Sequence, residues 1–266
     1  MKKVLCILIT FSMLSCKEKS NKPKAKNQRE SVLMKNDTSE SNIAQSADTI
    51  RNDNKIINIG SFDNLPKLKF DTISENEYLK YSTIEVWKKT KVKKIGNYFY
   101  LKTQKQNHKL KIYKDYGGVE SWNGSEFLGF CSNLDCYAIT NNSTSEYSGF
   151  GELMLLNNQT DFKYNINSFG DGSVELPIPS KNTEFLIYYY NSPYENKNCD
   201  IGILKVSTKS DPQHFLREFA SYHSNDFAIE EIKWVGDYII YLKGSEEIHE
   251  EGKLIKMYKY FKTKLE

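Results

Sequence analysis

The familiar catalytic signatures are missing from this 266-residue chain. It has no Gly-x-Ser-x-Gly elbow, no phosphate-cradling glycine loop, no Gly-x-Gly-x-x-Gly turn and no His-Glu-x-x-His pair. The usual acyl-transfer, nucleotide and zinc-peptidase sites therefore have no footing. Within Asn167–Ser173, the most turn-like stretch, Asp171 stands alone among neutral residues, so the acidic spacing of a calcium loop is absent too. An excess of one charge is also lacking: 37 Lys and Arg face 34 Asp and Glu, a formal +3. So even a balance gives no global electrostatic case for nucleic acid. Beyond the N-terminus no apolar run approaches the roughly 18 residues of a spanning helix, and residues 12–61 hold no aromatic side chain.

What is present begins at the N-terminus. Lys2 and Lys3 precede an apolar run, Val4–Leu14, interrupted only by Thr10 and Ser12. Eleven residues at about 1.5 Å each span only about 16 Å, which suits the core of an export signal and is too short for a membrane span. Met13-Leu14-Ser15-Cys16 closes the run. This small residue followed by cysteine resembles the lipobox of bacterial lipoproteins, with Met13 where Leu is usual. Ser15-Cys16-Lys17-Glu18 is also similar to lipoprotein starts from the Bacteroidota. The resemblance covers about 20 residues. It implies removal of residues 1–15, a diacylglyceryl group on the Cys16 sulfur and an acylated new amine. Several acyl chains at about 0.8 kcal/mol per buried CH₂ make such an anchor effectively permanent. The address implied is the outer membrane, on its periplasmic or surface face, and losing Lys2 and Lys3 leaves a formal +1.

Residues 16–57 are rich in Lys, Asn, Ser, Glu and Asp, a composition unable to bury enough surface to offset its ordering entropy. They read as a tether reaching on the order of 35 Å. Residues 58–266 read as one all-β domain with one or two short helices. Ser74 with Glu77 forms a capping-box pattern ahead of a helix near 75–81. A second helix is expected after Asp211-Pro212, with Phe215, Phe219 and Tyr222 on one face. Elsewhere β-rich segments alternate with polar loops. The expected hairpins pair 97–101 with 110–113, 126–130 with 137–140, 152–156 with 162–166, 185–190 with 201–206, and 237–242 with 253–258. Aromatic strands start near 98, 137, 185 and 238, a period in the range of propeller blades. The expected architecture is a β-propeller-like array of antiparallel hairpins, with a β-sandwich or open barrel as the alternative.

Candidate sites are few. After loss of Cys6 and modification of Cys16, three cysteines remain: Cys131, Cys136 and Cys199. Cys131 and Cys136 bracket a turn-like tetrapeptide and are expected to form a disulfide closing a tight hairpin, with free thiols as the alternative. Cys199 is expected to be free. His214 and Glu218 stand one helical turn apart without a third ligand, and no metal or cofactor is expected. Glu246, Glu247, Glu250 and Glu251 read as the charged tip of a hairpin loop. Tyr188-Tyr189-Tyr190 must point to both faces of a strand; its rings read as part of a tyrosine-rich β core and belt, with an aromatic binding surface for a sugar or a protein as the functional alternative. The expected role is a non-catalytic binding or scaffold module, membrane-held through Cys16, with a protein or glycan partner and no nucleic acid. A glycan hydrolase or lyase, and an immunity-type inhibitor, are the alternatives. A hydrolase would need two carboxylates roughly 5–10 Å apart in one pocket.

Overall fold

The computed structural model describes residues 53–58, 60–83, 85–114, 123–145, 148–194, 197–250 and 253–266. The expected signal (residues 1–15), Cys16, nearly all of the tether and Trp122 lie outside the described residues.

In chain order the strands are β1 Asn54–Ile57, β2 Asp71–Thr72, β3 Lys93–Ile95, β4 Tyr98–Lys102, β5 Asn107–Lys111, β6 Asn123–Cys131, β7 Cys136–Ser145 and β8 Ser148–Asn157. They continue as β9 Lys163–Ile166, β10 Ile178–Pro179, β11 Phe185–Asn191, β12 Cys199–Val206, β13 Leu216–Ser224, β14 Ala228–Val235, β15 Ile239–Glu250 and β16 Lys253–Lys264. Two single-turn helices, α1 Glu75–Tyr78 and α2 Pro212–Phe215, complete the set. The strands form four sheets: I (β3-β4-β5), II (β1-β9-β8-β7-β6), III (β10-β11-β12-β13) and IV (β14-β15-β16-β2). Pairing is antiparallel except where β1 joins β9 in parallel at the edge of sheet II.

Three apolar clusters join these sheets face to face in chain order. Phe99 and Leu101 of sheet I pack with Ile139, Met154 and Leu156 of sheet II. The other face of sheet II, with Leu153 and Leu155, meets Leu186, Tyr188 and Leu204 of sheet III. Phe185, Ile187 and Ile203 on the reverse of sheet III meet Phe227, Ile232, Ile240 and Leu242 of sheet IV. Sheets II and III are therefore covered on both faces. This is why Leu153-Met154-Leu155-Leu156 and Phe185–Tyr190 are continuous apolar runs without alternation. Each of the four aromatic starts belongs to a different sheet, in β4, β7, β11 and just ahead of β15, so the sequence period is one sheet per repeat. Among the described residues there is no closed barrel, and no core cluster joins sheet I to sheet IV. The result is an all-β, sandwich-like stack.

The body begins earlier than the sequence reading placed it, because Asn54–Ile57 already forms an edge strand. From there the chain runs as a strap. Pro66–Leu68 bonds to Ser221 of sheet III, with Ser221 N–H to Pro66 O at 2.9 Å and Leu68 N–H to Ser221 O at 2.8 Å. Asp71–Thr72 then pairs with Phe261 and Lys262 of sheet IV. One stretch of about 20 residues thus stitches sheets II, III and IV, and leaves sheet I outside the stitch.

Three sequence expectations change. Helix α1 starts as read, its Ser74 hydroxyl accepting the Glu77 N–H at 3.2 Å, but it ends at Tyr78 rather than near 81. Helix α2 ends at Phe215, and Phe219 and Tyr222 lie in β13, where Tyr222 pairs with Ile201 of β12 and Phe219 sits at a bulge. Spacing of i, i+4, i+7 suits a helix, but eight partners on β12 outweigh a local propensity worth tenths of a kcal/mol. Likewise the expected charged loop 243–252 is largely strand. β15 runs to Glu250, with Glu247 opposite Lys256 and Glu250 opposite Lys253, because cross-strand charge pairs stabilise an extended ribbon.

Candidate functional site

The residues singled out as a binding surface are core. Tyr188 is fully buried, Tyr190 is 7% exposed, and Tyr189 packs against the cluster between sheets III and IV. Both faces of β11 are covered, and of the run only Tyr190 lines a cleft, beside Asp171. Burial pushes the Tyr189 hydroxyl up to about 12. Cys131 and Cys136 face each other in register at the end of the β6–β7 hairpin, and both stand as buried free thiols. The expected disulfide is not formed: Cys136 Sγ donates to Leu134 O at 3.4 Å and accepts from Asn157 Nδ2 at 3.8 Å. Burial pushes the Cys136 and Cys199 thiols up to about 12, which leaves them protonated and unreactive at neutral pH.

His214 and Glu218 are not joint ligands. His214 Nδ1 meets Asp211 at 2.6 Å, while Glu218 accepts from Asn58 N–H and the Ser61 hydroxyl. Among the described residues no group of three or more His, Cys, Asp and Glu could hold a metal. Of the acidic cluster, Glu246 is bridged by Lys197 and Lys259 at 2.6 and 2.7 Å, and those partners hold its carboxyl down at about 2. Glu251 lies outside the described residues.

A different surface emerges from sheet I. Residues 86–114 contain ten lysines and no Asp or Glu. Subtracting those ten from the chain's formal +3 leaves −7 for everything else. The near-neutral total conceals this segregation, which is why whole-chain charge missed it; a count in a 30-residue window finds it.

The segment folds because its apolar residues alternate. Trp87 is buried and donates its indole N–H to Pro177 O at 2.6 Å. Lys88 exchanges both backbone hydrogen bonds with Phe130, at 2.9 and 3.0 Å, which ties the segment to edge strand β6. Gly96, at φ +56°, opens the two-residue turn between Ile95 and Tyr98; a left-handed φ there favours glycine. Thr103, nearly buried, closes the next turn by hydrogen bonds to Gln106. The pleat then sends Phe99 and Leu101 to sheet II. Two cross-strand rows lie on the other face, Lys93–Tyr100–Lys109 and Ile95–Tyr98–Lys111. Lys109 Nζ sits 4.0 Å from the centroid of the Tyr98 ring, a contact that positions an exposed ammonium. The sheet is pinned to its neighbour by His108 Nε2 with Asp161 at 3.1 Å and by the Tyr137 hydroxyl to Lys102 O at 2.8 Å.

Two clefts flank this sheet. The larger, about 650 Å³, is lined by Lys89, Lys91, Lys94, Phe99, Tyr113, Ser125 and Phe127, with Glu126 its one carboxylate. The second, about 570 Å³, is lined by Lys91, Lys93, Lys102, Asn107, Tyr100 and Tyr137. Thr90, Lys91 and Val92 line both, as a ridge between them. Lys89, Lys91, Lys93, Lys94 and Lys102 make no ion pair with a carboxylate among the described residues. Their charge is available to a ligand.

Paired acids occur in a smaller cleft of about 270 Å³ that holds Asp171 and Asp200. Both are engaged. Asp171 accepts the Tyr194 hydroxyl at 2.9 Å, and Asp200 meets His223 Nδ1 at 2.7 Å. Elsewhere Glu152 has its carboxyl raised by burial alone, on the strand beside Asn141 and in none of the described clefts. No protein-family model, no curated protein and no solved structure matches this chain.

Proposed function

We propose that the chain is an envelope lipoprotein, held by lipid on Cys16 after loss of residues 1–15, whose body is a non-catalytic binding module. The tether sets the module free of the membrane surface, at the outer membrane, and the lysine–tyrosine face of sheet I takes a protein or glycan partner bearing negative charge. The observation that carries this reading is the segregation of ten lysines and no acid into residues 86–114. Lys89, Lys91, Lys93, Lys94 and Lys102, which make no ion pair among the described residues, repel one another and cost stability, so their concentration beside two clefts speaks for use rather than for folding. Among the described residues, one cleft of sheet I is lined by a single carboxylate and the other by none, short of the pair that hydrolysis requires.

The test is capture from envelope extract by the acylated protein, compared with Lys93→Glu/Lys102→Glu/Lys109→Glu. These side chains are exposed, so the variant folds. Loss of the captured partner is expected; equal capture by both proteins contradicts the reading. A hydrolase would place its acids at Asp171 and Asp200, and Asp171→Asn abolishing glycan cleavage by the protein would establish that alternative.

A further inference from the structure

We infer that the partner of sheet I is a linear anionic glycan, carrying carboxylate or sulfate groups, lying across the Thr90–Val92 ridge with its sugars in the two clefts. The inference rests on the binding-module reading and narrows it to one class of ligand. Shape is the first reason. A single backbone ridge bordered by clefts of about 650 and 570 Å³ admits a thin polymer; each volume is that of a small-ligand site. A bilayer surface or a folded protein face is too flat to fill both. The second reason is the lining. Lys91 belongs to both clefts, with Lys89 and Lys94 on one side and Lys93 and Lys102 on the other, so negative charge is met along the whole path. Between these charges stand hydroxyl, amide and ring groups, of Ser125, Tyr113, Tyr100 and Asn107. Such groups hydrogen-bond and stack on sugar rings. The third reason is the cation chosen. Residues 86–114 contain no arginine, and the bidentate fork that recurs at phosphate and base-edge contacts is therefore missing. Lysine ammoniums are mobile point charges suited to carboxylates or sulfates at intervals along a chain.

The experiment measures binding of the acylated protein in detergent to alginate, dextran sulfate, neutral dextran, polyglutamate, oligothymidylate and phosphatidylglycerol vesicles. Alginate or dextran sulfate is expected to bind and neutral dextran is not. Lys91→Gln/Lys93→Gln/Lys102→Gln is expected to weaken that binding about ten-fold or more with an unchanged melting temperature, and to flatten its salt dependence. Glycan binding that the triple variant retains in full overturns the inference. Binding of polyglutamate, oligothymidylate or vesicles through the same lysines, without either anionic glycan, also overturns it while leaving the binding module standing. If none of the anionic probes binds, the inference fails, and the binding module is then decided by capture from envelope extract.

Discussion

Gly202→Ala tests how sheet III is packed. Gly202 lies directly opposite Tyr188 on the neighbouring strand, and a Cβ built there falls within 3.0 Å of three atoms of the Tyr188 ring. The ring lies flat over the glycine in place of a side chain. It has no room to retreat, since Tyr188 is fully buried between sheets II and III. Two responses are open. The backbone can shift, as in other overpacked cores, at about 1–3 kcal/mol. Alternatively the ring can leave its site, which approaches the about 3–5 kcal/mol of deleting a buried aromatic. The cheaper response sets the outcome, so about 1–3 kcal/mol is expected. At roughly 2–4 °C per kcal/mol for a body of this size, the melting temperature falls by about 2–12 °C in a calorimetric or circular-dichroism melt. In Tyr188→Leu the same glycine substitution is expected to cost less than about 1 kcal/mol, because the clash has gone. A Gly202→Ala protein within about 0.5 kcal/mol of the parent would refute this packing.

The other expectations follow from individual groups. Tyr188→Phe removes a buried hydroxyl that has no partner among the described residues and is expected to be neutral or to stabilise by about 1 kcal/mol, measured by urea unfolding; a loss above about 1 kcal/mol would mean a partner exists. Asp237 is nearly buried and accepts from the Ser180 hydroxyl, Asn182 N–H and Asn182 Nδ2, each at 2.7 Å. Burial opposes its charge, but those hydrogen bonds and the Glu184 N–H outweigh burial and lower its pKa. A depressed folded pKa gives stability that is complete above the unfolded value near about 3.9 and is lost as pH falls through the folded one. Asp237→Asn should therefore cost about 1.5–3 kcal/mol at pH 7 and lose less than the parent below pH 4; equal acid sensitivity would show that the carboxylate is not held. Thiol titration of the mature protein is expected to find no reactive body cysteine in the native state and Cys131, Cys136 and Cys199 after unfolding without reductant. Recovery of Cys199 alone would mean that the hairpin is bridged.

Strand-rich segments were legible because most strand pairs are local hairpins, the exceptions being β1 with β9 and β2 with β16. Tyr188–Tyr190 stayed open between core and binding surface for a reason sequence cannot supply: whether a strand has a free face depends on how many layers cover its sheet. The same holds for Phe219 and Tyr222, where pairing with β12 decided between two periods. The charged stretch 243–252 failed differently, since like charges suggested a loop until the lysines of β16 supplied cross-strand partners. Lys88–Lys114 was readable all along. Its signal was diluted only because a net charge sums over residues that the fold separates.

Lysine footprinting tests the central claim most directly. The acylated protein is briefly acetylated with and without envelope extract, and modification at each lysine is read by mass spectrometry. Protection is expected at Lys89, Lys91, Lys93, Lys102 and Lys109, while Lys80, Lys181, Lys205 and Lys209, also exposed, react unchanged. Uniform protection, or protection confined to lysines outside residues 86–114, would contradict sheet I as the binding face.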